Sequence, residues 1–201
     1  MLPRIANVFD RITLEDEQIL LRRRCDSQSL SFYADISHFI SRRIEGAHTL
    51  SLLDVGPRTG VGLAFLRLLH HPNAFTRLHF DPVVGIDLDP AFEHIADAEF
   101  PDIKSITGNI FDLEENSFDI VTCSHTIEHL EEAEIFVTHL KRISRKYVII
   151  ACPFEENEPL TYGHVRRIGM KFFKSVGVQD IEVYEAPQFS NGMCCLAFLK
   201  K

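Results

Sequence analysis

The 201-residue sequence has no tryptophan, no Cys-x-x-Cys pair and no excess of positive charge. It also has no apolar run approaching the ~20 residues that a membrane-spanning helix requires. Five scattered cysteines, odd in number, argue against a disulfide framework. Two of them, Cys194 and Cys195, are adjacent, and in a strand they would point to opposite faces. With 29 acidic against 21 basic residues the net charge is -8, so a polyanionic partner such as nucleic acid gains little from long-range attraction. The local exception, Arg22-Arg23-Arg24, reads as a solvated helix face. The opening MLPRIANVFDRITLEDEQ lacks the apolar core of a signal peptide. These absences predict a soluble, cytoplasmic protein without a membrane span. Internal repeats and low-complexity tracts are missing as well.

What is present is globular. Hydrophobic residues make up 45% and charged residues 25%, a balance that supports a packed core and argues against disorder. The length suits one domain better than two. From about Leu14 to Glu45 apolar residues such as Phe32, Ile36, Phe39, Ile40 and Ile44 recur at helical spacing, with Ser27 or Ser29 placed to cap a second helix. After Gly46 the period changes. Compact apolar runs at 50–55, 83–87, 118–123 and 147–152 read as buried strands, and 102–106 as a weaker one. Helices are expected at 61–70, after Pro90 and over 127–143. A further helix should follow Arg166 and end near Gly177, ahead of strands at 178–184 and 193–199. Strands alternating with helices imply a parallel sheet; the last two strands, with no helix between them, should pair antiparallel. The acidic segment 154–163, containing Pro159, is the expected mobile loop.

The polar and glycine residues gather at strand ends, where open α/β sheets bind ligands. Leu52-Leu53-Asp54-Val55-Gly56-Pro57-Arg58-Thr59-Gly60 closes the first strand and opens a helix. Gly60 and Gly62 permit close backbone approach, and the free N–H groups at the helix start suit a carboxylate. Asp87 ends the second strand, where a carboxylate can accept both hydroxyls of a ribose. The two features together indicate a nucleoside-containing cofactor without choosing among cofactors.

The ordered set LLDVGPRTG, VVGIDLDP, GNIFDL, NSFDIVTCSHTIEHL and YVIIACP resembles the class I S-adenosylmethionine-dependent methyltransferases, in particular the family labelled methyltransferase domain type 11. The resemblance covers about Leu50 to Pro153, with a weaker echo at Gly163-His164-Val165-Arg166. It implies S-adenosylmethionine as cofactor and methyl transfer to an acceptor. By position, it implies that Asp54 bonds the methionine amino group, directly or through water, and that Gly56, Pro57, Arg58, Thr59 and Gly60 wrap the methionyl part. Asp87 would hold the ribose, Leu88 would pack on the adenine, Asn109 and Ile110 would meet its edge, and Ser124 and His125 would line the site beside the methyl group. Two positions depart from the pattern. Arg58 occupies the middle glycine position of D-x-G-x-G-x-G, so its guanidinium turns either to the cofactor carboxylate or to solvent. Asn109 stands where an aspartate commonly receives the adenine amino group, which removes charge assistance.

Other readings of the same residues are weaker. Gly56-Pro57-Arg58-Thr59-Gly60-Val61-Gly62 also resembles the nucleotide loop of short-chain dehydrogenases, but no tyrosine has lysine four places on, and the G-x-G-x-x-G fingerprint is absent. His125-Thr126-Ile127-Glu128-His129 spells the inverted zincin motif, yet it follows a buried strand, and the family resembled has similar residues at this turn without a metal; no metal is expected. His70-His71 and His139 read as solvated, Phe172-Phe173 as core, and Asp89 as a helix cap before Pro90.

The expected architecture is a three-layer α/β sandwich with a mostly parallel seven-stranded Rossmann-like sheet and an antiparallel C-terminal hairpin. Residues 1–48 would form an N-terminal helical extension over the cofactor cleft, 49–153 the cofactor-binding core, and 154–201 the acceptor-side loop and hairpin of a single domain. The acceptor is expected to be a small metabolite or sugar-containing precursor. His125, then His164, are the candidate bases. The loop departures leave a non-catalytic methyltransferase-like scaffold as the alternative.

Overall fold

The computed structural model describes residues 26–178 and 180–201. The Arg22-Arg23-Arg24 run and the first part of the helical N-terminal segment lie outside them. Helix α1, Ser27–Arg43, buries the stripe Phe32, Tyr33, Ile36, Phe39 and Ile40, the three- and four-residue spacing that puts side chains on one helix face. Neither Ser27 nor Ser29 caps it. Asp26 does, its carboxylate accepting from the Ser29 N–H at 3.1 Å and the Ser29 hydroxyl at 2.8 Å; a charged acceptor suits the positive end of the helix better than a hydroxyl.

Seven strands form one sheet: β1 His48–Val55, β2 Leu78–Asp87, β3 Lys104–Thr107, β4 Phe118–Ser124, β5 Ser144–Phe154, β6 Asp180–Tyr184 and β7 Met193–Lys200, in the order β3-β2-β1-β4-β5-β7-β6. The pairs among β1 to β5 are parallel, and β7 runs antiparallel between β5 and β6. The central strands are apolar on both faces because both are covered. Leu53, Val55, Val121, Cys123, Val148 and Ile150 join the core beneath α4 (Ala133–Ile143) and α5 (Met170–Ser175). Leu50, Leu52, Ile120, Ile149 and Ala151 join the other core, beneath α1 and α2 (Val61–Leu69). The two-residue period puts Asp54 with Leu52, so it faces α1. The same alternation divides Cys195 from Cys194. Helix α3, Pro90–Glu99, starts on the expected cap, Asp89 accepting from the Ala91 N–H.

Four details differ from expectation. Strand β2 starts five residues early, at Leu78, because Leu78, His79 and Phe80 pair with His48, Thr49 and Leu50. The register shifts between Leu50 and Leu52, opposite Pro82, which has no N–H to offer the ladder. The helix expected over 127–143 is split into a 3-10 turn, Ile127–His129, and α4. The Glu128 carbonyl that would have continued it accepts instead from the Val165 N–H at 3.0 Å. His70 is not solvated but 2% exposed. Its Nδ1 donates to the Leu78 carbonyl at 3.0 Å, leaving Nε2 to accept from the Ser37 hydroxyl at 2.8 Å; His71 and His139 are partly exposed, and Phe172 and Phe173 are core. The segment 154–163 is fastened through Glu156, described below. No helix of the described residues is long and apolar enough to cross a membrane.

Candidate functional site

Every element of the candidate site lies at the carboxyl edge of the parallel strands, where successive strands leave the sheet and their connecting loops diverge. A slot there is lined by Val55, Gly56, Ile86, Asp87, Leu88 and Gly108, and on its other side by Asn109, Ile110, Phe111, Thr126, Leu130 and Phe136. It thus collects Gly56, Asp87, Leu88, Asn109 and Ile110 from three different strand ends. Gly56 is required twice over: its φ is +75°, and an added Cβ would come within 2.6 Å of the Thr126 hydroxyl. Asp87 accepts the Arg58 N–H on one oxygen at 3.1 Å and the Asp89 N–H on the other at 2.9 Å. Each carboxylate oxygen keeps a further lone pair for a ligand hydroxyl. Burial pushes the Asp87 carboxyl up, and those two backbone donors oppose it.

A methyltransferase-domain family model matches residues 53–152, the segment that carries this slot on the sheet order just described. The chain belongs to the class I S-adenosylmethionine-dependent methyltransferases. No curated protein sequence matches it. Solved structures share the fold at low identity. A SAM-dependent methyltransferase from Aquifex aeolicus is similar with a TM-score of 0.64 at 15% identity, over 92% of this chain and 98% of that one. The 1,6-didemethyltoxoflavin-N1-methyltransferase of Burkholderia thailandensis, with bound 1,6-didemethyltoxoflavin and S-adenosylhomocysteine, has a TM-score of 0.62 at 14% identity, over 92% and 88%. A chain of the complex that the Trm112 methyltransferase activator of Haloferax volcanii forms has a TM-score of 0.66 at 15% identity, over 97% and 96%.

The donor of this methyltransferase is S-adenosylmethionine, and the residues present fit its nucleoside half. Apolar walls from Ile86, Ile110, Leu130 and Phe136 flank the slot, and the Asp87 carboxylate stands at its edge. The Asn109 amide oxygen caps the 3-10 turn Ile110–Asp112 by accepting the Phe111 N–H at 3.1 Å, which gives asparagine a local reason to stand there. Arg58 keeps a left-handed conformation, φ 58°, at a cost of roughly 1 kcal/mol for a residue with a Cβ. Its guanidinium, about half exposed, pairs with the Asp26 carboxylate at 3.4 Å, tying the loop to the start of α1. Pro57 accepts the Gly60 N–H at 2.9 Å, and Gly60 opens α2 at φ +79°. The Thr59 hydroxyl is buried with no partner among the described residues.

Asp54 lies near the end of β1, facing α1. It is fully buried, hydrogen-bonded by the Tyr33 hydroxyl on one oxygen and by the Thr122 hydroxyl on the other at 2.6 Å. Burial raises its carboxyl to about 6, with the Asp87 charge adding to the rise and the two hydroxyls opposing it. Burial and the adjoining carboxylate push the Tyr33 phenol well up in turn. Tyr33 packs on Gly62, where an added Cβ would meet its ring at 2.3 Å. The helical spacing of α1 does not single out Tyr33, so its contact with Asp54 was not legible.

At the end of β4, Ser124 is buried and its carbonyl accepts from the Thr126 hydroxyl at 3.2 Å. His125 is left-handed, φ 51°, with its ring stacked on Phe32 at 3.7 Å and Nδ1 3.5 Å from a Glu128 oxygen. The inverted zincin reading fails in detail, because the turn is 3-10 rather than α-helical and does not put His125 and His129 on one face. His129 instead meets His164, ring centroids 4.8 Å apart. His164 Nδ1 lies 2.6 Å from Glu156 Oε2, and Glu156 also accepts from the Thr161 N–H at 2.7 Å and Asn191 Nδ2 at 3.0 Å. Burial pushes the Glu156 carboxyl up, but these donors outweigh it and hold it below its ordinary range. Glu156, missed in the sequence as one acid among several, thereby anchors the loop expected to be mobile. Beside it opens a cavity of about 690 Å³ lined by Phe154, Glu155, Asn157, Glu185, Phe189 and Met193 among others.

Proposed function

We propose that this methyltransferase transfers the methyl group of S-adenosylmethionine to an O, N or C atom of a small molecule, a metabolite or sugar-containing precursor, held in the cavity beside Glu156. The observation that carries the reading is this cavity. Its volume of about 690 Å³ falls in the range of small-molecule sites, roughly 300–1,000 Å³, and it opens at the carboxyl end of β5, on the same sheet edge as the slot. Its wall combines aromatic rings with the carboxylates of Glu155 and Glu185, which would disfavour a polyanionic acceptor.

S-adenosylmethionine, when bound, supplies an electrophilic methyl group on a sulfonium. The chain's contribution is placement. Asp87 holds the ribose, Gly56, Pro57, Arg58, Thr59 and Gly60 carry the methionyl part, and Leu88, Asn109 and Ile110 bound the adenine. Asp54 acts one layer back, setting the Tyr33 hydroxyl and with it the packing of α1 on the loop. Ser124 and His125 face the transfer region, His125 held against Phe32 and beside Glu128, to take the proton where the acceptor loses one. His164, oriented by Glu156, is the second candidate.

The test is a screen of small-molecule acceptors with methyl-labelled S-adenosylmethionine, followed by His125→Ala on the acceptor found. Turnover should fall about 100-fold, with affinity for S-adenosylhomocysteine nearly unchanged. Wild-type turnover in that variant would remove His125 from the chemistry. Labelling of nucleic acid in place of every small molecule would contradict the acceptor class.

A further inference from the structure

Two turns that lie far apart in the sequence place three metal-ligating side chains together. Glu128 and His129 stand in the 3-10 turn after β4, and His164 in the connection after β5; one ligating atom of each lies within 4.8 Å of the others. The turns are clamped by the Val165 N–H on the Glu128 carbonyl at 3.0 Å. They are clamped again by His129 Nδ1 on the Gly163 carbonyl at 2.8 Å. A carbonyl can only accept, so His129 Nδ1 carries the proton and Nε2 keeps a free lone pair. His164 Nδ1 is bound to the Glu156 carboxylate at 2.6 Å, with the same consequence. Both imidazoles are therefore fixed in the tautomer that leaves the lone pair on Nε2. This is the arrangement in which metal-binding histidines are held from behind by a carbonyl or a carboxylate.

Glu128 supplies an independent sign. It is 1% exposed, and neither of its carboxylate oxygens has a hydrogen-bond partner among the described residues; His125 Nδ1 stands 3.5 Å from one of them. A buried carboxylate without a donor calls for a cation, and its two histidine neighbours have lone pairs to share.

We propose that Glu128, His129 and His164 bind a divalent transition-metal ion. Two imidazoles and one carboxylate suit zinc first. Bonds of about 2.1 Å in tetrahedral geometry set ligand atoms about 3.4 Å apart, so the three draw together by roughly an ångström. The fourth position stays open to water or to an acceptor oxygen. Phe189, in the cavity wall, has its ring 6.4 Å from that of His164. An ion here makes His164 a ligand rather than a proton acceptor. His164 and its orienting Glu156 both lie beyond residues 53–152, the segment matched by the family model.

The test is chelator-stripped full-length protein titrated with zinc chloride in a calorimeter, and with cobalt chloride followed by visible absorption. One equivalent of zinc should bind at micromolar strength or tighter, and cobalt should give the bands of a low-coordinate nitrogen and oxygen site. His164→Ala should weaken zinc at least about 100-fold, and Glu156→Gln, which keeps the packing, about 10- to 100-fold, with circular dichroism confirming the fold. No one-equivalent binding by the wild type, or wild-type affinity in either folded variant, overturns the proposal. Neither readout involves methyl transfer, so a failure here leaves the donor and acceptor assignments standing.

Discussion

Replacing Asp87 with alanine is expected to weaken S-adenosylhomocysteine binding about ten- to a hundredfold, a loss of roughly 1.5–3 kcal/mol. Two contributions add. The carboxylate no longer receives the ribose hydroxyls, and the Arg58 and Asp89 N–H groups it fastens are released. The Arg58 contact matters because that residue holds a left-handed conformation, which the loop keeps only while something secures it. The fold should survive, since the side chain sits at a strand end and fills no core space. Titration calorimetry on the folded variant checks this; an unchanged affinity would move the ribose contact elsewhere, with Asp89 next in line.

The second expected result concerns pH. Asp54 has its carboxyl raised from 3.8 to about 6 in the folded protein, so the native state takes up its proton more readily than the unfolded chain does. The stabilisation from this group is fully present below about pH 4 and is lost as pH rises through about 6, amounting to ~3 kcal/mol for two pH units. The Asp54→Asn variant lacks that titration. Its stability relative to wild type should therefore improve by about that amount between pH 4 and pH 7, read by urea unfolding of both proteins at each pH. A difference that stays flat over this window would show that Asp54 remains ionised in the fold. Comparing the two proteins cancels the other titrating groups, such as Asp119, held down at about 2 despite partial burial by Ser51, Arg145 and Lys146.

The sheet was legible in the sequence because its centre is repetitive physics. Runs such as Leu50 to Val55 and Tyr147 to Cys152 are apolar on both faces, as only a doubly covered parallel strand needs to be. Likewise, Gly56 and Asp87 were legible as cofactor candidates because each ends or follows a strand, whereas Asn109 and Ile110 came only from the family resemblance; the slot is lined by all four. What escaped depended on contacts between distant segments. Tyr33 meets Asp54 from 21 positions away and belongs to no motif that the sequence shows. His70 looked solvated at the end of a helix until Ser37 and the Leu78 carbonyl closed on its two nitrogens. Glu156 lies in a segment whose acids and proline suggest a loose loop, eight positions before His164. Only the folded chain shows that loop pinned through one carboxylate. The H-x-x-E-H string suggested a pairing of His125 with His129 on the assumption of an α-helix. The 3-10 turn breaks that assumption and brings His129 to His164 instead.

The central claim is that the slot between Gly56, Asp87 and Asn109 is a sulfur-nucleoside site. Calorimetric titration of the full chain with S-adenosylhomocysteine, and in parallel with NADP, tests it most directly. One-site binding of S-adenosylhomocysteine at micromolar strength, with no heat from NADP, is the predicted result; tight NADP binding with no response to S-adenosylhomocysteine would contradict it.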